Sequence, residues 1–153
     1  MAVPISFPST TARFGLPLLF SGQAQKEFSI NQAFAMVDSL LQSSILESVD
    51  TPPPSPTEGD CYRVVAPATG DWLDHEDDIA VSLGGAWQFV RPQPGMRVYD
   101  VAEGAILHYE SEWKRAEEPA LPSGGSVIDA EARQAIAELM EALRKIGVFP
   151  ESV

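Results

Sequence analysis

Two stretches decide the reading of the chain: Ile79-Ala-Val-Ser-Leu-Gly-Gly-Ala-Trp87 and Ala105-Ile-Leu-His-Tyr-Glu-Ser-Glu-Trp113. They align without gaps, each an apolar run, a two-residue turn, a spacer and a tryptophan. Gly84-Gly85 between two runs of β-forming residues is a strong hairpin signal, because such turns need positive φ at both central positions. The repeat therefore predicts two similar hairpins, each pinned by a tryptophan crossing back onto its partner strand. Two copies are too few for a solenoid.

Working outward, β-branched and aromatic runs separated by turn residues predict strands at Cys61–Val65, Ile79–Leu83, Trp87–Val90, Met96–Val101, Ile106–Tyr109 and a short one at Trp113. Before them, Thr51-Pro-Pro-Pro-Ser-Pro-Thr57 can be neither helix nor central strand and reads as a stiff connector. Further upstream, Ser29 and Gln32 form a capping-box pattern. Ala33, Phe34, Val37, Leu40, Leu41 and Ser44 then recur at helical spacing, which predicts a helix over 29–44. Residues 1–22 are punctuated by Pro4, Pro8, Gly15, Pro17 and Gly22. They carry Phe14, Leu16, Leu18, Leu19 and Phe20, an apolar set that must lie against its own domain or a neighbour.

Downstream, residues 117–127 are stiffened by Pro119 and Pro122 and loosened by Ser123-Gly-Gly-Ser126. The last helix is the clearest, roughly Ala130–Ile146. Asp129 suits its N-cap, Glu131 its first turn, and Arg144 and Lys145 its last; Gly147 ends it. The expected class is α+β: an N-terminal arm and helix packed on a small antiparallel β-hairpin body, with a C-terminal amphipathic helix on a linker. The divisions are 1–22 docking arm, 23–116 body, 117–127 linker and 128–153 C-terminal helix.

Composition narrows the partners. The 153 residues include 22 acidic and 10 basic side chains, a net charge of −12. Such a surface repels phosphate backbones, so nucleic acid is not an expected partner. With 44% hydrophobic residues the chain has material for a core without metals or disulfides. No apolar stretch approaches the ~20 residues of a membrane helix, and the start lacks the pattern of a signal peptide.

Few residues suggest chemistry. Cys61, the single cysteine, has no histidine near it in sequence; the histidines are His75 and His108. It reads as a half-buried strand residue. No phosphate-binding loop, zinc or nucleophile-elbow motif occurs. In Asp71-Trp-Leu-Asp-His-Glu-Asp-Asp78, oxygen ligands alternate at Asp74, Glu76 and Asp78, yet the glycine and terminal glutamate of a calcium loop are missing. A solvated acidic loop is the better reading. No catalytic residue, cofactor or metal is expected.

Two surface readings remain. Trp72, Trp87 and Trp113 could offer rings for stacking on sugars, with Trp72 the most exposed candidate because it lies in the acidic loop; the alternative is that these rings are hairpin cores. In the last helix, Ala132, Ile136, Leu139, Leu143 and Ile146 step by four, three, four and three, a heptad seam that suggests self-association. The alternative is an amphipathic helix packing on its own body.

One resemblance rests on Leu16-Pro-Leu-Leu-Phe-Ser-Gly-Gln-Ala-Gln-Lys-Glu27, which leads into the first helix, and on Pro56-Thr-Glu-Gly-Asp-Cys-Tyr-Arg-Val64. Over about residues 11–116 the chain resembles a family of phage, prophage and gene-transfer-agent structural proteins. In that family the same glutamine-rich core precedes a helix, a Pro-rich turn, Gly-Asp and tryptophan hairpins. Within it the likeness is to the head spike base of gene transfer agents. The resemblance implies a place on the surface of a phage-like particle head, assembled in the bacterial cytoplasm. The implied partners are a capsid protein and a spike-fibre protein. It implies a homo-oligomer, pentameric at a capsid vertex or alternatively trimeric to match a fibre, and it supplies no catalytic residues. A fibre needs an anchor, a shaft and a tip. This chain holds only an anchor-like module and one short helix, so a base or adaptor is expected. A carbohydrate-binding module contacting a host surface is the alternative.

Overall fold

The computed structural model describes residues 17, 19, 22, 24–41, 43–124 and 129–150. Its element order is α1 (Lys26–Leu41), β1 (Ser44–Ile45), β2 (Ser48–Val49), β3 (Cys61–Val64), β4 (Ile79–Leu83), β5 (Ala86–Val90), β6 (Arg97–Asp100), β7 (Ala105–Tyr109), β8 (Trp113–Lys114) and α2 (Ala130–Lys145). The class is α+β. The strands form two four-stranded sheets, ordered β2-β3-β4-β5 and β1-β6-β7-β8.

Each sheet is a three-stranded antiparallel meander with a two-residue parallel strand at its edge. The sheets are thus mixed rather than purely antiparallel. The chain leaving α1 passes through Ser44–Val49 with a bend at Leu46, lending β1 to one sheet and then β2 to the other. The hairpin repeat is one part of a larger duplication. Each meander opens on a matching tight turn, where the Asp60 amide donates to the Thr57 carbonyl at 3.1 Å and the Met96 amide to that of Gln93 at 2.9 Å. The glycine inside each turn, Gly59 or Gly95, has a φ of 90°.

The two hairpins differ by one residue, and that difference sorts their tryptophans. Gly84 and Gly85, with φ of 63° and 77°, make the expected two-residue turn, and Trp87 pairs with Ser82. The second hairpin needs three residues, 110–112, to turn, so Trp113 pairs with Tyr109 instead. A one-residue change of register moves a side chain to the other face of a sheet. Trp113 accordingly enters the core between the sheets, with Ile45, Ile79, Val81, Val90, Val98 and Leu107. Trp87 lands on the outer face of the first sheet, beside Trp72, Tyr62 and Phe89. Ser48 and Asp100 also tie the sheets, the hydroxyl donating to the buried carboxylate at 2.9 Å.

The first helix differs from expectation at both ends and in its buried face. It starts at Lys26, ahead of Ser29, and stops at Leu41 because Ser44 is taken by the pairing with Tyr99. Met36 is its buried residue, with Leu40 packed against the same core. Phe34 is 68% and Leu41 81% exposed, so most of the apolar face expected to pack inward points to solvent.

The second helix follows its sequence signals. The Asp129 carboxylate accepts from the Ala132 amide at 2.9 Å, and Gly147, with φ of 72°, terminates the helix. Residues 117–124 have no regular secondary structure.

Candidate functional site

The seam proposed for α2 faces outward. Leu139 is 60% and Ile146 66% exposed, Ile136 and Ala132 are also exposed, and Leu143 is half-buried. The helix is held by other groups. Met140 and Phe149 are buried. The Ile106 amide donates to the Gly147 carbonyl at 2.7 Å, and Gly147 lies against the Tyr99 ring. Arg144 makes a two-pronged ion pair with Glu118, Nε to Oε2 at 2.9 Å and a second N–H to Oε1. A forked guanidinium–carboxylate pair fixes orientation as well as charge. The intramolecular and self-association readings of α2 therefore concern different faces of one helix. Met140 lies about a quarter-turn from the middle of the seam.

A second unpartnered stripe was not visible as such in the sequence. Ile30, Phe34, Val37 and Leu41 lie along α1 at spacings of four, three and four. Phe34, Val37 and Leu41 are exposed and Ile30 is half-buried. A cleft of about 710 Å3 runs beside this helix, lined by Ala35, Asp38, Leu41, Leu46, Cys61 and Leu83. The ends of both helices converge on one residue: the Tyr99 amide donates to the Ser43 carbonyl at 2.9 Å, and the Tyr99 ring meets Gly147. Tyr99, Val101 and Leu46 are exposed on this side of the sheet.

The docking-arm residues Phe14, Leu16, Leu18 and Phe20 lie outside the described residues; Leu19 is exposed.

The tryptophan platform is corrected. Trp72 is fully buried, not exposed, because the 3-10 turn Gly70–Trp72 rotates its indole beneath the first sheet. There it meets Trp87 edge-on, centroids 5.0 Å apart, and Tyr62 at 5.9 Å. Trp113 is buried between the sheets. Neither ring offers a face to a ligand. Trp87 is half-buried and lines a groove of about 740 Å3, opposite Pro52, Pro53, Pro54 and Pro56, with Phe89, Ser82, Asp71 and Glu58 also on its walls. Glu58 is partly committed, since its carboxylate accepts from the Gly84 amide at 2.9 Å.

The acidic loop disperses its charges. Glu76 accepts from the Ala68 amide at 3.2 Å, Asp77 pairs with Arg63 at 3.3 Å, and Asp78 takes His75 at 3.0 Å. Among the described residues no three His, Cys, Asp or Glu side chains converge to hold a metal ion. His75 lies flat on Phe89, centroids 3.5 Å apart, so its pairing with buried Asp78 clamps the loop onto the sheet. Burial pushes the Cys61 thiol above its ordinary pKa. No helix among the described residues is long and apolar enough to cross a membrane.

A family model described as "Protein of unknown function (DUF2793)" matches residues 30–114, more than half of the chain. The match covers both sheets and most of α1 and ends before α2. A comparison with curated proteins gives no match.

Proposed function

The chain belongs to the DUF2793 family, whose function is unknown, and we propose that it is a structural virion component: a spike-base or adaptor protein that docks a fibre onto a phage-like capsid. The observation that carries this reading is the pair of exposed apolar stripes, on α1 and on α2, carried by a body fixed by two packed sheets. Apolar stripes of this kind mark contact surfaces with other proteins. A spike base is built from several copies, and such surfaces on a stiff frame let copies assemble. The acidic body agrees with basic partner surfaces and disfavours contact with packaged nucleic acid. The sequence likeness to phage and gene-transfer-agent proteins points the same way. The test is to tag the chain in a cell that encodes it, purify particles on a density gradient and probe the fractions. The reading requires the chain in the particle band, and fibre loss when its gene is deleted. Its absence from particles would refute the reading.

A second reading, contact with a host-surface carbohydrate, is favoured by the Trp87 groove, where a flat ring adjoins carboxylate and hydroxyl groups able to bond sugar hydroxyls. It predicts quenching of tryptophan fluorescence by neutral polysaccharide, lost in Trp87→Ala. An unchanged spectrum would dismiss it.

A further inference from the structure

Taking the chain to be a self-assembling adaptor, we infer that its copies join head to tail, the α1 stripe of one copy (Ile30, Phe34, Val37, Leu41) packing along the α2 seam (Ala132, Ile136, Leu139, Leu143) of the next. Three observations argue for a second copy as the occupant.

The first is register. Each residue of the α1 set matches one of the α2 set at a constant offset, and both helices are 16 residues long. Two stripes that share a seven-residue repeat can stay in contact along their length. Within one chain the two stripes leave each other open, since Phe34, Val37 and Leu41 on one and Ile136 and Leu139 on the other are exposed.

The second is charge. Copies carrying −12 each repel one another. The helices escape that charge: α1 sets Lys26 against Glu27 and Asp38, and α2 sets Arg133, Arg144 and Lys145 against Glu131, Glu138 and Glu141. A contact made by these two helices leaves nearly all the acidic groups outside the interface.

The third is size. The α1 stripe carries large side chains, Phe34 and Leu41, with Phe28 also exposed, whereas the α2 seam is bordered by Ala135 and Ala142. The seam itself exposes Ile136 and Leu139, and the alanines beside them leave holes that large side chains of a facing helix can fill. Because α1 and α2 are different surfaces, the contact is heterologous, and such contacts generate rings when the rotation closes.

The test uses the full chain in two variants, Phe34→Asp and Leu139→Asp. Both positions are solvent-exposed, so each fold should survive, as circular dichroism would verify; Leu41→Asp and Ile136→Asp serve as replacements if either does not. By native mass spectrometry each variant alone should be monomeric while the wild type assembles. Mixed in equal amounts they should form a one-to-one heterodimer, because one intact α1 then meets one intact α2. Assembly of Phe34→Asp alone would overturn the inference in favour of paired α2 helices, and assembly of Leu139→Asp alone in favour of paired α1 helices. A mixture that stays monomeric, or a monomeric wild type, would overturn it as well. The adaptor reading is judged separately, by whether the wild-type chain is found on particles.

Discussion

The indole N–H of Trp113 donates to the backbone carbonyl of Asp77 at 2.8 Å, so the last strand of one sheet is bolted to the loop that opens β4 of the other. The ring itself lies in the core shared by both sheets. Trp113→Ala should cost about 3–5 kcal/mol, the usual loss for a buried large aromatic. Trp113→Phe keeps most of the apolar contact and loses the hydrogen bond, which should cost about 0.5–1.5 kcal/mol, the usual net worth of one such bond. Urea unfolding of both variants measures the difference.

Trp72 and Trp87 should separate under the same treatment. Trp72 is wholly buried, so Trp72→Ala should again cost about 3–5 kcal/mol. Trp87 lines an open groove and gives up less contact. Trp87→Ala should cost roughly half as much, since the transfer free energy scales with area removed from water. Equal losses in the two variants would show that the Trp87 ring is not a surface feature.

Gly147→Ala should loosen α2 from the body. The residue holds φ of 72°, and an added Cβ would approach the Tyr99 ring to 3.0 Å. Strain from both sources should cost about 1–2 kcal/mol. The local readout is the Ile106 amide, bonded to the Gly147 carbonyl. Its hydrogen exchange should accelerate more than that of the Val81 amide in the core.

Cys61 should react slowly. Desolvation by burial, the largest cause, raises its pKa, so less thiolate is present at any given pH. Iodoacetamide at pH 8 should label the native chain several-fold more slowly than the urea-unfolded chain. Equal rates would place Cys61 in solvent. The neutral thiol also favours the native state at high pH the least: stability is unaffected below the ordinary thiol pKa and declines as pH rises through it, because the unfolded thiol ionises first.

Much of this architecture is written in local sequence. The six longer or Trp-marked strands announce themselves by β-branched residues, glycines and tryptophans, and α2 by Asp129 and Gly147. The strands β1 and β2 do not, because Ser44-Ile45 and Ser48-Val49 are too short to show alternation and pair only through distant partners, Tyr99 and Arg63. Trp72 misleads because its acidic neighbours signal solvent while one 3-10 turn directs the indole inward. The register change that separates Trp87 from Trp113 arises from one extra residue in a turn, which an ungapped alignment hides. On α1, periodicity identifies an apolar face but cannot say whether the chain itself or another molecule covers it. The contact stripe at Phe34 and Leu41 therefore emerged only from their exposure.

The central claim is that these helix faces join chains, and the mass of the native full-length protein tests it most directly. Sedimentation equilibrium across a hundredfold range of concentration should give an integral multiple of the 16.5 kDa chain, reduced to a single chain when residues 128–153 are removed. A mass of 16.5 kDa at every concentration would contradict the account.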